Sequence, residues 1–140
     1  MRNLIAVLAL STGISGCIPY PIYKTLQPSA TVRIQDRTAA PIPDAEVTLI
    51  SNAYPYGREK GRETVLTSPN GQAHFEAIRE WRIETLMIHG AEVFFWNWCV
   101  RKHGYKTYQT SHNTANNFQA ELEIRLEPGF STPCPVSELR

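Results

Sequence analysis

Apolar and polar residues alternate with period two along much of this chain. In residues 30–36, Val32 and Ile34 fall on one side and Thr31, Arg33 and Gln35 on the other, as in a half-buried strand. Residues 45–51 repeat the pattern, with Val47 and Leu49 set against Glu46 and Thr48. Residues 72–77 continue it through Ala73 and Phe75, and in residues 118–126 Leu122, Ile124 and Leu126 alternate with Glu121, Glu123 and Arg125. Short strands are expected at 63–67 and 105–110, and residues 93–101 (VFFWNWCVR) predict an aromatic-rich strand. Residues 79–89 fit two periods: Trp81, Thr85 and Ile88 suit a helix turn, whereas Ile83, Thr85 and Met87 suit a strand, which is favoured. Ser68-Pro69-Asn70-Gly71 is a turn, because proline presets one dihedral and Asn-Gly tolerates positive φ. Residues 52–62 (NAYPYGREKGR) read as a long exposed loop. About seven short strands at this spacing predict one all-β, Greek-key sandwich over residues 30–128, followed by a C-terminal tail at 129–140.

The N-terminus has a different pattern. Arg2 precedes the uninterrupted apolar run of residues 4–10 (LIAVLAL), and small residues lead to Ile14-Ser15-Gly16-Cys17. Charge, a short apolar segment and small residues before a cleavage point make a secretory signal. The run is far too short to cross a bilayer core, which takes about 20 residues. Ile-Ser-Gly-Cys resembles the lipobox of bacterial lipoproteins. The resemblance implies removal of residues 1–16 and acylation of Cys17, whose covalent lipid is the only cofactor expected. Ile18, where an aspartate would favour inner-membrane retention, implies the outer membrane, facing the periplasm. Residues 17–29 hold Pro19, Pro21 and Pro28 without clean periodicity and read as an extended tether.

Charge narrows the partners. Loss of Arg2 lowers the 14 Lys and Arg to 13, against 13 Asp and Glu. A balance near zero leaves no electrostatic footprint for nucleic acid or anionic lipid. With Cys17 lipidated, Cys99 and Cys134 remain, and an oxidising compartment makes a disulfide between them the expectation. It closes a loop of about 35 residues, worth about 3 to 4 kcal/mol by chain entropy.

Three stretches together resemble a known family. Val32-Arg33-Ile34-Gln35-Asp36 leads to Ala40-Pro41-Ile42-Pro43-Asp44-Ala45-Glu46-Val47. Thr67, Gly71 and Phe75 give Thr-x-x-x-Gly-x-x-x-Phe, and a later strand ends in Gly104-Tyr105. The set resembles the carboxypeptidase regulatory-like, or transthyretin-like (prealbumin-like), sandwich over residues 30–128. Residues 78–92 are longer than that family's usual connection. The resemblance implies an accessory or binding module, although fold alone does not fix function. One branch of the family hydrolyses 5-hydroxyisourate with a C-terminal Tyr-Arg-Gly-Ser. This chain ends Ser137-Glu138-Leu139-Arg140 and lacks that tail.

Candidate chemistry is sparse. His74, His89, His103 and His112 show none of the usual zinc spacings, and no nucleophile elbow or phosphate loop occurs. No catalytic or metal residue is therefore assigned. Glu76, Glu80, Glu84 and Glu92 are carboxylates that an assembled His/Glu hydrolase site would draw on. The strongest lead is aromatic. Phe94, Trp96 and Trp98 share one face of a strand, and Val93, Phe95 and Cys99 share the other. If the Cys99 side fills the sandwich, the first three form an exposed stripe able to stack on sugars or anchor a protein. Tyr54 and Tyr56 offer a second surface. These readings describe a non-enzymatic, lipid-anchored envelope lipoprotein that binds an envelope protein or glycan. A hydrolase with an assembled His/Glu site and a purely structural lipoprotein are the alternatives.

Overall fold

The computed structural model describes residues 18–85 and 91–135, so the export signal and Cys17 lie outside the described residues. Among the described residues nine strands run in chain order: β1 (Pro19–Gln27), β2 (Ala30–Gln35), β3 (Glu46–Tyr54), β4 (Arg58–Leu66), β5 (Gln72–Phe75), β6 (Ile78–Thr85), β7 (Val93–Arg101), β8 (Tyr108–Gln109) and β9 (Glu121–Arg125). Among the described residues the only helical piece is a 3₁₀ turn, Ala115–Asn117.

Seven of these strands form two sheets around one core. β2 lies between β5, antiparallel, and β9, parallel. The second sheet runs β4-β3-β7-β8, antiparallel throughout. Val32, Ile34, Ala73, Phe75 and Ile124 from the first sheet meet Val47, Leu49, Trp98 and Val100 from the second, all buried. The Phe75 and Trp98 rings meet edge to face at 5.3 Å. Removing such side chains from water contributes about 1.5–3 kcal/mol each, which sets the strand registers. The all-β, sandwich-like architecture read from the alternation is therefore present, as is its inward set of residues.

The turn motif has mechanical reasons. Thr67 is buried; its hydroxyl donates to the Ile42 carbonyl at 2.7 Å and accepts from the Ala45 N–H at 2.8 Å. Gly71 sits at φ +76°, and a Cβ there would lie 2.5 Å from the Ile34 carbonyl oxygen. Only glycine allows that approach.

Two expectations are corrected. Most of the expected tether, residues 17–29, is a strand instead: Pro19–Gln27 form β1, paired antiparallel with β6 and ending on buried Gln27, while Cys17 lies outside the described residues. Within the extra length of residues 78–92, Ile78–Thr85 is the partner strand of this two-stranded ribbon. Residues 52–62 are not a long loop either. β3 runs to Tyr54 and β4 starts at Arg58, so the turn is only residues 55–57. Gly61 lies inside β4 beside a register shift at Ser51 and Asn52, where a bulge accommodates it. The strand favoured in 79–89 is present to Thr85, and residues 86–90 lie outside the described residues.

The tail is held at its start. Cys99 and Cys134 are joined by a disulfide, with Cα atoms 5.9 Å apart. Thr107 and Thr132 exchange hydrogen bonds of 2.7 and 2.8 Å, and Arg62 donates to the Pro135 carbonyl at 2.7 Å. Residues 131–135 thus lie along the outer face of the four-stranded sheet.

Candidate functional site

The aromatic strand does not present the stripe its sequence suggested. In β7 the face of Phe94, Trp96 and Trp98 points into the molecule. Trp98 is 1% exposed, Phe94 is buried and Trp96 is half-buried. Trp98 stacks on Phe118 at 5.4 Å, and Trp96 meets the same ring edge-on at 5.6 Å. The indoles are also satisfied: Trp96 Nε1 donates to Leu26 O at 2.8 Å and Trp98 Nε1 to Gln119 O at 3.3 Å. The physical reason was available in the sequence. Asn97 and Arg101 share the Cys99 face, and a face with an amide and a guanidinium belongs outside. Phe95, on that outer face, is covered in part by Tyr54, with ring centres 5.1 Å apart. Tyr54 and Tyr56 are exposed at the β3–β4 hairpin, as expected, and Arg58 lies over the Tyr56 ring at 5.0 Å.

A cleft forms where the ribbon meets the β3–β4 hairpin. It encloses about 610 Å³, with Phe94 and Ile78 as apolar surface and Gln27, Glu63, Glu76 and Arg82 among its polar lining. A volume of this size suits a small ligand or one or two sugar units. Of the expected stripe, Phe94 is the member that lines this cleft. It does so as part of a cleft wall, with the Arg82 guanidinium 5.8 Å from its ring centre.

A network of charges positions the wall. Lys60 of β4 and Arg82 of β6 both pair with Glu92, which precedes β7, and Arg82 also binds Glu80 at 2.6 Å. Burial pushes the Glu92 carboxyl up, but the hydrogen bond and charge of Lys60, together with Arg82, outweigh it and hold the group below the usual carboxylate range. The hydrogen bond to Glu80, against the opposing effect of burial, raises the Arg82 guanidinium still higher, with the Glu92 charge adding to it. Farther along the ribbon Lys24 pairs with buried Glu84 and donates to the Glu92 carbonyl. Gln27 donates to Glu63 and, at 3.0 Å, to the Glu76 carbonyl. Lys60, Arg62 and Arg82 face Glu63, Glu76 and Glu92 in the lining, so the cleft holds equal numbers of each sign. That balance favours a neutral, polar ligand over a strongly charged one.

Other candidates are dispersed. Of the four glutamates, Glu76 is on the cleft rim, Glu80 and Glu92 serve Arg82, and Glu84 serves Lys24. His103 lines a second cleft, of about 620 Å³, at the opposite end of the sheet. There Lys102 is engaged by the Pro43 and Asp44 carbonyls at 2.7 and 3.2 Å, and Arg101 by Glu46 at 3.3 Å. Its aromatic ring, Phe130, lines the cleft but is almost fully exposed. His112 is half-buried, and its backbone amide and carbonyl bind the Asn97 side chain. His89 lies outside the described residues.

His74 stands between Thr31 and Glu76, with Nδ1 3.0 Å from the Thr31 hydroxyl and Nε2 3.1 Å from the Glu76 carboxylate. Sequence reasoning missed this row, although β2–β5 pairing sets Thr31 opposite His74 and His74 lies two residues from Glu76. Among the described residues no group of three or more His, Cys, Asp and Glu side chains is placed to hold a metal. No family model, curated protein or solved structure matches the chain.

Proposed function

We propose that this chain is a non-enzymatic, lipid-anchored lipoprotein of the bacterial envelope that binds a neutral polar ligand in the cleft beneath its ribbon. The anchor is acylated Cys17 after removal of residues 1–16, and Ile18 favours the outer membrane, facing the periplasm. The transthyretin-like type of sandwich belongs to the same proposal, supported by the Thr67, Gly71 and Phe75 motif. The binding role rests on one observation: an aromatic ring and balanced, positioned polar groups surround a cleft of ligand size. Hydroxyl-bearing sugars suit that mixture, since their apolar ring faces stack and their hydroxyls bond amides and carboxylates. An envelope glycan is the favoured ligand and an envelope protein segment the second.

Two measurements test it. Intact mass of the membrane-extracted protein should show loss of residues 1–16 plus acyl chains, and Cys17→Ala should abolish both; a soluble, unacylated mature chain would refute the anchor. For the cleft, a photo-reactive residue replaces Glu76, whose side chain is 85% exposed at the rim. Irradiation of intact cells should give one dominant glycan or protein adduct. Adducts only from a probe at Tyr56 would move the binding surface to the hairpin and overturn the cleft.

The row Thr31, His74 and Glu76 supports a second reading, as a hydrolase. It has the order of nucleophile, base and orienting carboxylate. It lies on an open face, with the His74 and Glu76 side chains 55% and 85% exposed, so nothing excludes water from it. Hydrolysis of model esters that His74→Ala abolishes would favour this reading.

A further inference from the structure

We propose that the outward face of the β1–β6 ribbon docks on the lipid surface in which Cys17 is anchored. This rests on the lipid anchor proposed above and adds a second contact to it.

The ribbon is amphipathic in the opposite sense from one exposed to water. Residues paired across two strands share a face. Pro19 lies opposite Thr85, Pro21 opposite Ile83, and Tyr23 opposite Trp81. On this face Trp81 is 71% and Ile83 78% exposed, with Tyr23, Pro19 and Pro21 exposed beside them. The Tyr23 and Trp81 rings contact one another at 5.3 Å. The other face carries Lys24, Glu80, Arg82 and Glu84 together with Tyr20 and Ile22, and it turns toward the body, where Glu92 and Lys60 complete its ion pairs. A ribbon meeting only water would place its charges outward and its aromatics inward. Here four of the ribbon's five charges are on the inward face while Tyr23, Trp81 and Ile83 are bare, so the outward face is matched to an apolar neighbour.

The position of the anchor identifies that neighbour. Two peptide units separate Cys17 from Pro19, at most about 7 Å of extended chain. Acylation at Cys17 therefore holds the Pro19–Thr85 and Pro21–Ile83 pairs at the bilayer surface. Tryptophan and tyrosine favour that depth, where the ring enters the acyl boundary and the polar atom stays hydrated. Arg79, exposed on the same face opposite Thr25, keeps its guanidinium at headgroup level while its stem lies along the apolar face. Docking also orients the cleft: Arg82 and Ile78 line it from the ribbon, so lipid on the Trp81 face leaves the cleft open to the aqueous side.

The test uses the acylated full-length protein, its acyl chains verified by intact mass. It is reconstituted in vesicles of phosphatidylethanolamine and phosphatidylglycerol carrying bromine at shallow acyl positions. The Trp81 signal is the emission lost in Trp81→Phe. Brominated lipid should remove most of that signal and protect it from aqueous acrylamide. Ile83→Glu, which keeps the anchor and changes an exposed side chain, should restore much of it. Unquenched Trp81 in a protein of verified acylation overturns the docking and leaves the anchor standing. Ribbon-to-ribbon cross-links with unquenched Trp81 overturn it in favour of a second copy. A mature chain without acyl groups removes the anchor, and the docking with it.

Discussion

Trp98 and Trp81 are the same residue on two strands of one chain, yet one is 1% and the other 71% exposed. Trp98 sits between two sheets, against Phe75 and Phe118. Among the described residues, Trp81 sits on a ribbon face with no second layer over it and touches the Tyr23 ring. The sandwich is held by shared burial, so its parts stand or fall together. The ribbon is held by its own ladder, by the Lys24–Glu84 and Lys60–Glu92–Arg82 pairs, and by the Trp96 bond to Leu26 O. The Lys60–Glu92–Arg82 pairs near the surface contribute little individually, and the buried Lys24–Glu84 pair is offset by the desolvation of its charges. The ribbon is thus the part expected to open first, with little disturbance to the core.

That contrast can be broken most forcefully from the core side. Trp98→Ala should cost about 3–5 kcal/mol and lower the melting temperature of the whole domain, by calorimetry. Cys134→Ser frees the 131–135 segment and should cost about 3 to 4 kcal/mol by loop entropy, lost equally on reduction of the native protein. Thr67→Val keeps shape but strands the Ala45 N–H, and chemical denaturation should show a loss of about 1–3 kcal/mol.

Acid should separate the two regions. The Glu92 carboxyl is held below its usual range in the folded state, so its contribution is complete above the unfolded value of about 4.3 and fades as pH falls through the lower, folded value. Hydrogen exchange should then show β1 and β6 amides losing protection in acid before those of β3 and β7. Glu92→Gln should produce the same local loss at neutral pH. The smallest effect belongs to Trp81→Ala, within about 0.5 kcal/mol in the absence of membranes, as for an uncovered surface residue. A larger loss would mean that the outward face carries the ribbon's own stability.

The strands at 30–35, 46–51 and 121–125 were legible because one face is apolar and the other charged, and burial enforces that alternation. The disulfide followed from cysteine count and compartment. β1 was hidden by its prolines, which in a central strand would remove ladder donors. In a two-stranded ribbon each strand is an edge, and Pro19 and Pro21, two apart opposite Thr85 and Ile83, fall on the same hydrogen-bonding side of the strand, where an edge tolerates proline. The hairpin was hidden because Gly61 reads as a breaker when a bulge absorbs it. The cleft could not be read at all, since it joins Gln27, Glu63, Arg82 and Phe94 from four distant segments. Its one local trace was Asn97 and Arg101, which marked the outer face of β7 and so placed Phe94 inside.

The parallel pairing of β2 with β9 also bears on how the chain is made. Thr31 lies opposite Glu121, so one of the first strands synthesised waits for the last before its sheet is complete. Such distant pairing slows folding, because the intervening chain must close as a loop before the contact forms. A polypeptide threaded through a translocon as the proposed export signal requires would therefore remain unfolded until its C-terminal segment emerged. Cys134, nine residues beyond Arg125, arrives later still, and its bond to Cys99 seals a domain whose topology is already set.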